Sequence, residues 1–154
     1  MFKIYEAKIT KDIFLKKEGF MKKIRFSMPK EVENFNGDIC DGCRISSELI
    51  LEDGVHIAMG VKIVGKGKVY IGKGSTIAPG VVIYTSMPNL KKATNGYCEE
   101  HSPIVGDVRI GKNVFIGSNA VIGCGCEILD DTVVQPCENI KPKTIFKRSS
   151  KWQL

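Results

Sequence analysis

The sequence holds only two histidines, His56 and His101, and these are its candidates for accepting a proton near neutral pH. His101 stands in the run Cys98-Glu99-Glu100-His101-Ser102, where a neighbouring carboxylate can orient the imidazole and raise its basicity. His56 lies between Val55 and Ile57. Cys40 and Cys43 form a C-x-x-C, and Cys124 and Cys126 a C-x-C, spacings that suit zinc. Two basic clusters flank the chain: Lys16, Lys17, Lys22, Lys23 and Arg25 near the front, and Lys141, Lys143, Lys147, Arg148 and Lys151 near the end. They contribute to a net charge of +6, which favours an anionic partner over a cationic one, although such runs are often solvated faces.

The elements that must position these residues follow from an internal repeat. An aliphatic residue recurs every six positions at Ile39, Ile45, Leu51, Ile57, Ile63 and Val69. After a two-residue slip the series resumes at Ile71, Ile77 and Ile83, and a second series runs Ile110, Ile116, Ile122, Ile128, Val134 and Ile140. Neither a helical period of 3.6 nor a strand period of 2 gives a strict six. Small or branched residues follow four positions later, as at Cys43, Val55, Val61, Ser75, Ala120 and Cys126, with Glu138 the clear exception in the second series. The pattern predicts an all-β solenoid, each unit a short strand and a bend, three units to a coil, the aliphatic side chains stacked inward. Glycine, common just after the aliphatic position, is expected to ease the corners.

The repeat argues against a structural zinc. Cys43 and Cys126 fall on inward positions and Cys40 and Cys124 on outward ones, so four sulfurs do not converge, and no metal is expected. A reduced, disulfide-free chain without a signal peptide or an apolar run long enough to span a membrane is expected to be cytoplasmic. Between Ile83 and Ile104 the repeat stops for YTSMPNLKKATNGYCEEHSP, and an irregular stretch of that length is usually functional. The expected organisation is a capping segment over residues 1–38, a β-helix over 39–145 with a loop at 84–103, and a basic tail over 146–154. Within the first segment, KIYEAKI reads as an edge strand.

The strings IGKGSTIAPGVVIYTS and PIVGDVRIGKNVFIGSNAVIGCGCEI resemble the hexapeptide-repeat acyltransferases, most of all the maltose, galactoside and xenobiotic acetyltransferase branch and its capsule- and sugar-modifying relatives. The resemblance covers roughly residues 39 to 145. It implies a left-handed parallel β-helix, a homotrimer with active sites between subunits, acetyl-CoA as co-substrate, and a sugar or nucleotide-linked sugar as the acceptor of an O- or N-acetyl group. In that branch a histidine follows the segment matching Ile83-Tyr84-Thr85; here the place reads Ser86-Met87-Pro88. The resemblance therefore implies that His101 returns to the groove as the base when the loop closes, with Glu99 or Glu100 orienting it, and His56 on the outer wall as its competitor. Tyr84, Ser86, Asn89 and Glu100 are the implied acceptor contacts. Gly117, Ser118, Ala120, Gly123 and Gly125 would form a flat wall for the pantetheine arm, and Lys141, Lys143, Lys147 and Arg148 would meet the phosphates.

Other readings are weaker. A zinc carbonic anhydrase on the same helix needs three histidine ligands, more than this chain contains. A non-catalytic trimeric scaffold would explain the displaced histidine, yet has little need of the long loop. Nucleic-acid binding is not expected, since only Phe146 and Trp152 interleave with the basic tail.

Overall fold

A computed structural model describes residues 5–7, 37–89 and 103–149. Short strands line three parallel sheets, which the chain visits in strict rotation. Sheet 1 contains Asp38–Ile39, His56–Ile57, Thr76–Ile77, Phe115–Ile116 and Val133–Val134. Sheet 2 contains Arg44–Ile45, Lys62–Val64, Val82–Tyr84, Val121–Ile122 and Asn139–Ile140. Sheet 3 contains Glu48–Leu51, Lys68–Ile71, Val108–Ile110, Glu127–Ile128 and Ile145–Phe146. This is a parallel β-helix of five coils, as the period of six requires.

The register shows why the period is six. Ile39, Ile57, Ile77, Ile116 and Val134 stand in line on sheet 1. Ile45, Ile63, Ile83, Ile122 and Ile140 do so on sheet 2, and Leu51, Ile71, Ile110, Ile128 and Phe146 on sheet 3. All but the terminal members Ile39 and Phe146 are buried in one continuous core. Val69 is a correction to the expected series: it pairs with Leu49 and Val108, in the branched column, while Ile71 continues the aliphatic one. The two extra residues are accommodated in the bend at 65–67, between the strands Lys62–Val64 and Lys68–Ile71.

Two backbone demands recur at many of the corners. Three residues after the aliphatic position the chain turns through positive φ, at Gly42, Gly54, Gly60, Gly74, Gly80 and Gly125, and also at Asn113, Asn119, Asp131, Cys137 and Lys143. The glycine just after the aliphatic residue serves a different need: it lets successive coils touch. A Cβ at Gly72 would lie 2.6 Å from the carbonyl carbon of Gly111, and one at Gly117 2.7 Å from that of Gln135.

Polar residues on inward corner positions are satisfied across coils. Ser75 Oγ donates to the Gly111 carbonyl at 2.8 Å, Cys43 Sγ to that of Ala58 at 3.1 Å, and Cys126 Sγ to that of Lys141 at 2.9 Å. Glu138, the exception in the repeat, accepts the Gln135 amide at 2.9 Å and both guanidinium nitrogens of Arg148 at 2.7 and 2.9 Å. Tyr5–Ala7 adds antiparallel to Glu48–Leu51, so the edge strand expected in KIYEAKI forms and covers the first coil on sheet 3.

Candidate functional site

The excursion leaves the helix between sheets 2 and 3 of the third coil. It is closed by a two-stranded ribbon in which Ser86 pairs with Val105 and Met87 with Ile104. Tyr84 therefore ends a wall strand, and Ser86 lies in the stem of the excursion. The stem is anchored by a polar cluster that the sequence does not advertise. Thr85, fully buried, shares a hydrogen bond with Ser47 at 2.9 Å and accepts the Gly67 amide at 3.0 Å. Ser47 Oγ also donates to the Gly65 carbonyl at 3.3 Å. Asp107, at the other foot, accepts the Lys68 amide at 2.9 Å. His101, Glu99 and Glu100 lie outside the described residues.

Tyr84 packs beside Cys124 and Cys126 at the corner between sheets 2 and 3. Burial pushes its phenol up from the ordinary value, and the two nearby thiols add to the shift. Burial likewise pushes up the thiols of Cys124 and Cys126, against a smaller lowering of Cys124 by Lys143. Cys124, expected on an outward position, is 1% exposed but stands apart from the hydrophobic core that holds Cys126. Ser86 and Asn89 are half-buried nearby in sequence, on the stem and just beyond it.

The proposed cofactor wall is redistributed. Ala120 belongs to the hydrophobic core at 0% exposure, so its side chain faces inward and offers nothing to a ligand. Gly117 and Gly123 are buried against the next coil, where Cβ atoms would meet Gln135 and Pro142. Ser118 is half-buried at a corner, and its carbonyl accepts the Cys137 amide at 2.9 Å. Lys141 and Lys143 are exposed on the last coil. Arg148 is committed to Glu138 and lies over the Phe146 ring at 5.1 Å, while Lys147 Nζ donates to the Asp130 carbonyl.

His56 is held rather than merely displayed. Register places it directly beside Asp38, and its Nδ1 lies 2.5 Å from Asp38 Oδ1. An ionised carboxylate only accepts, so the Nδ1–H donates and the neutral ring keeps its lone pair on Nε2. Cys40 joins this pair: one ligand-type atom from each of Asp38, Cys40 and His56 lies within 4.8 Å of the others. A general base with an oriented ring is what this arrangement can supply.

A groove of about 710 Å³ runs along the outer face of sheet 3. Arg109 stacks over the Tyr70 ring at 4.4 Å, and Lys68, Lys112 and Lys147 line the same groove against Glu52, Glu127 and Asp130. Sequence reasoning named Lys147 but missed Tyr70 and Arg109. The signal for them is the outward alternation of sheet 3, where Tyr70 and Arg109 are partners in register.

Residues 107–137 match the family model described as Bacterial transferase hexapeptide (six repeats). Among curated proteins, the dTDP-4-amino-4,6-dideoxy-D-glucose acyltransferase of Escherichia coli is 34% identical over 101 residues, covering 63% of this chain. The chain spans half the length of that relative, 50%. Among solved structures, AntD, an N-acyltransferase from Bacillus cereus in complex with dTDP and 3-hydroxybutyryl-CoA, gives a TM-score of 0.47 at 20% identity, over 68% of this chain and 61% of that one. The polysialic acid O-acetyltransferase OatWY gives 0.42 at 22% identity, over 77% and 63%.

Proposed function

We propose that this hexapeptide-repeat protein is an acyl-CoA-dependent acyltransferase that acylates a hydroxyl or amino group on a nucleotide-linked sugar. The observation that carries the reading is His56, clamped by Asp38 on the outer wall of a β-helix whose sequence is 34% identical to a dTDP-aminosugar acyltransferase over 101 residues. In the reaction His56 Nε2 takes the proton as the acceptor oxygen or nitrogen attacks the thioester carbonyl. The tetrahedral intermediate then collapses with loss of the CoA thiolate, which recovers the proton. Asp38 holds the ring in the productive tautomer and steadies the imidazolium. Acetyl is the acyl group, and the site of action is the cytoplasm.

His56 on sheet 1 and the cationic groove on sheet 3 occupy different faces of one prism. A homotrimer unites them, setting one chain's sheet 1 against its neighbour's groove. Arg109, Lys112 and Lys147 then receive phosphates of CoA or of the nucleotide, and Tyr84, Ser86 and Asn89 flank the acceptor where the excursion leaves the wall. His101 and Glu100, carried on the excursion, form the competing base pair.

Calorimetry with CoA and with dTDP, followed by a thiol-release assay on acetyl-CoA with dTDP-aminosugars, tests this reading. The expected result is micromolar binding, about −8 kcal/mol. His56→Gln should lower turnover by about 10²–10⁴ with binding kept. Full turnover in that variant, lost instead in His101→Ala, moves the base to the loop. Absence of both binding and thiol release sinks the transferase and leaves a scaffold.

A further inference from the structure

Asp38 and Cys40 flank the inward Ile39, so both side chains leave the outer side of the first coil. His56 stands beside Asp38 on the second coil, the same outer side of sheet 1. We propose that Asp38, Cys40 and His56 form a binding site for a zinc-class divalent transition ion, with a fourth position open to water.

The donor set argues for that class. One carboxylate oxygen, one thiol sulfur and one imidazole nitrogen suit Zn²⁺ or Co²⁺, whereas Ca²⁺ and Mg²⁺ take oxygen donors. The spacing argues for it as well. The three ligand-type atoms already lie within 4.8 Å of one another. Tetrahedral coordination at ordinary zinc bond lengths sets nitrogen, oxygen and sulfur donors about 3.3–3.6 Å apart. To reach that spacing the side chains must turn, the Asp38–His56 contact opening from 2.5 Å, while the backbone stays held on both coils. The Asp38 amide donates to the Val55 carbonyl at 3.1 Å, the Cys40 amide to that of Ile57 at 2.8 Å, and the His56 amide to that of Ser75 at 3.0 Å. Half-exposure of Cys40 and His56 leaves an approach for the ion and a place for its water.

No local spacing in the sequence reveals this cluster. The C-x-x-C suggests Cys43 as the partner of Cys40, but the Cys43 thiol is turned to the Ala58 carbonyl at 3.1 Å. The true neighbours of Cys40 come from the coil register, which places residues 18 apart side by side. On binding, the Cys40 thiol loses its proton to solvent, its sulfur bonds the ion, and the imidazole proton moves from Nδ1 to Nε2. A filled site therefore blocks His56 as a base, a consequence that rests on the proposed mechanism.

The test is a Co²⁺ titration of the full chain after chelator treatment and removal of the chelator. Saturation at one equivalent per chain is expected, with visible bands of a tetrahedral ion and a thiolate-to-cobalt charge-transfer band. Cys40→Ser should abolish the charge-transfer band and weaken binding at least about tenfold, about 1.4 kcal/mol, while Cys43→Ser leaves both unchanged. Asp38→Asn should weaken binding too, and circular dichroism of each variant checks that the β-helix persists. No saturable binding, or a spectrum indifferent to Cys40→Ser, overturns the site. A His56→Gln variant with full turnover but no tetrahedral cobalt spectrum separates the two claims: the base assignment fails and the metal site stands.

Discussion

At the scale of single residues, the groups that matter most structurally are not those whose chemistry stands out in the sequence. Thr85 reads as an unremarkable polar residue after a strand, yet it closes the buried cluster with Ser47 and Gly67 that anchors the excursion. Gly65 makes the cluster possible. It sits at φ 127°, and a Cβ there would lie 2.6 Å from the Ser86 amide and collide with Thr85 Oγ1. Gly65→Ala should cost at least about 2 kcal/mol in chemical denaturation, from backbone strain plus the collision. Thr85→Val, leaving the Ser47 hydroxyl and Gly67 amide without this partner, should cost about 1–3 kcal/mol. The thiols make a separate prediction. Burial raises Cys43, Cys124 and Cys126 above the ordinary 9.0. The folded chain therefore keeps protons that the unfolded chain has lost. Stability is full below the unfolded thiol value and falls as pH rises through and beyond it. Thermal melts between neutral and strongly alkaline pH should show the decline, and Cys126→Ala should lessen it.

At the scale of the elements, the strands were legible because nearly all of them place an aliphatic residue on the inner wall at a fixed register, and a column of like side chains leaves a period in the sequence. Ile57, Ile77 and Ile116 are such a column. Truncating Ile77 to Ala should cost about 2–5 kcal/mol, since its neighbours above and below cannot close the gap. The corners were less legible. Glycine was expected to serve them from just after the aliphatic position, but positive φ falls two residues further on, where Asn113, Asp131, Cys137 and Lys143 share the duty with glycine. A mixed column hides its common cause. Cys137, at φ 60°, is an expensive occupant because a Cβ residue in that region costs about 1–2 kcal/mol. Cys137→Gly should stabilise the fifth coil by up to about 1 kcal/mol, read as a rise in the denaturation midpoint. The site was the least legible of all. Asp38, Cys40 and His56, like Tyr70 and Arg109, meet only through a register that no local motif encodes.

At the scale of the whole molecule, the coils are bonded to one another along the stacking axis. The amide of Phe115 donates to the Thr132 carbonyl of the next coil at 3.0 Å, and the amide of Val121 to that of Glu138 at 2.8 Å. Each coil is thus supported only by its neighbours, and the excursion in the third can be long without interrupting the stack. That arrangement has a mechanical consequence. Tension applied between the two ends loads the inter-coil bonds one rung at a time, as in peeling tape, rather than shearing a whole sheet together. In an optical trap the coils should yield one after another in small steps at low force. The fourth coil should release one turn of 18 residues, the spacing between Phe115 and Val133, or about 60 Å of extended chain. The third, which carries the excursion, should release the 39 residues between Thr76 and Phe115.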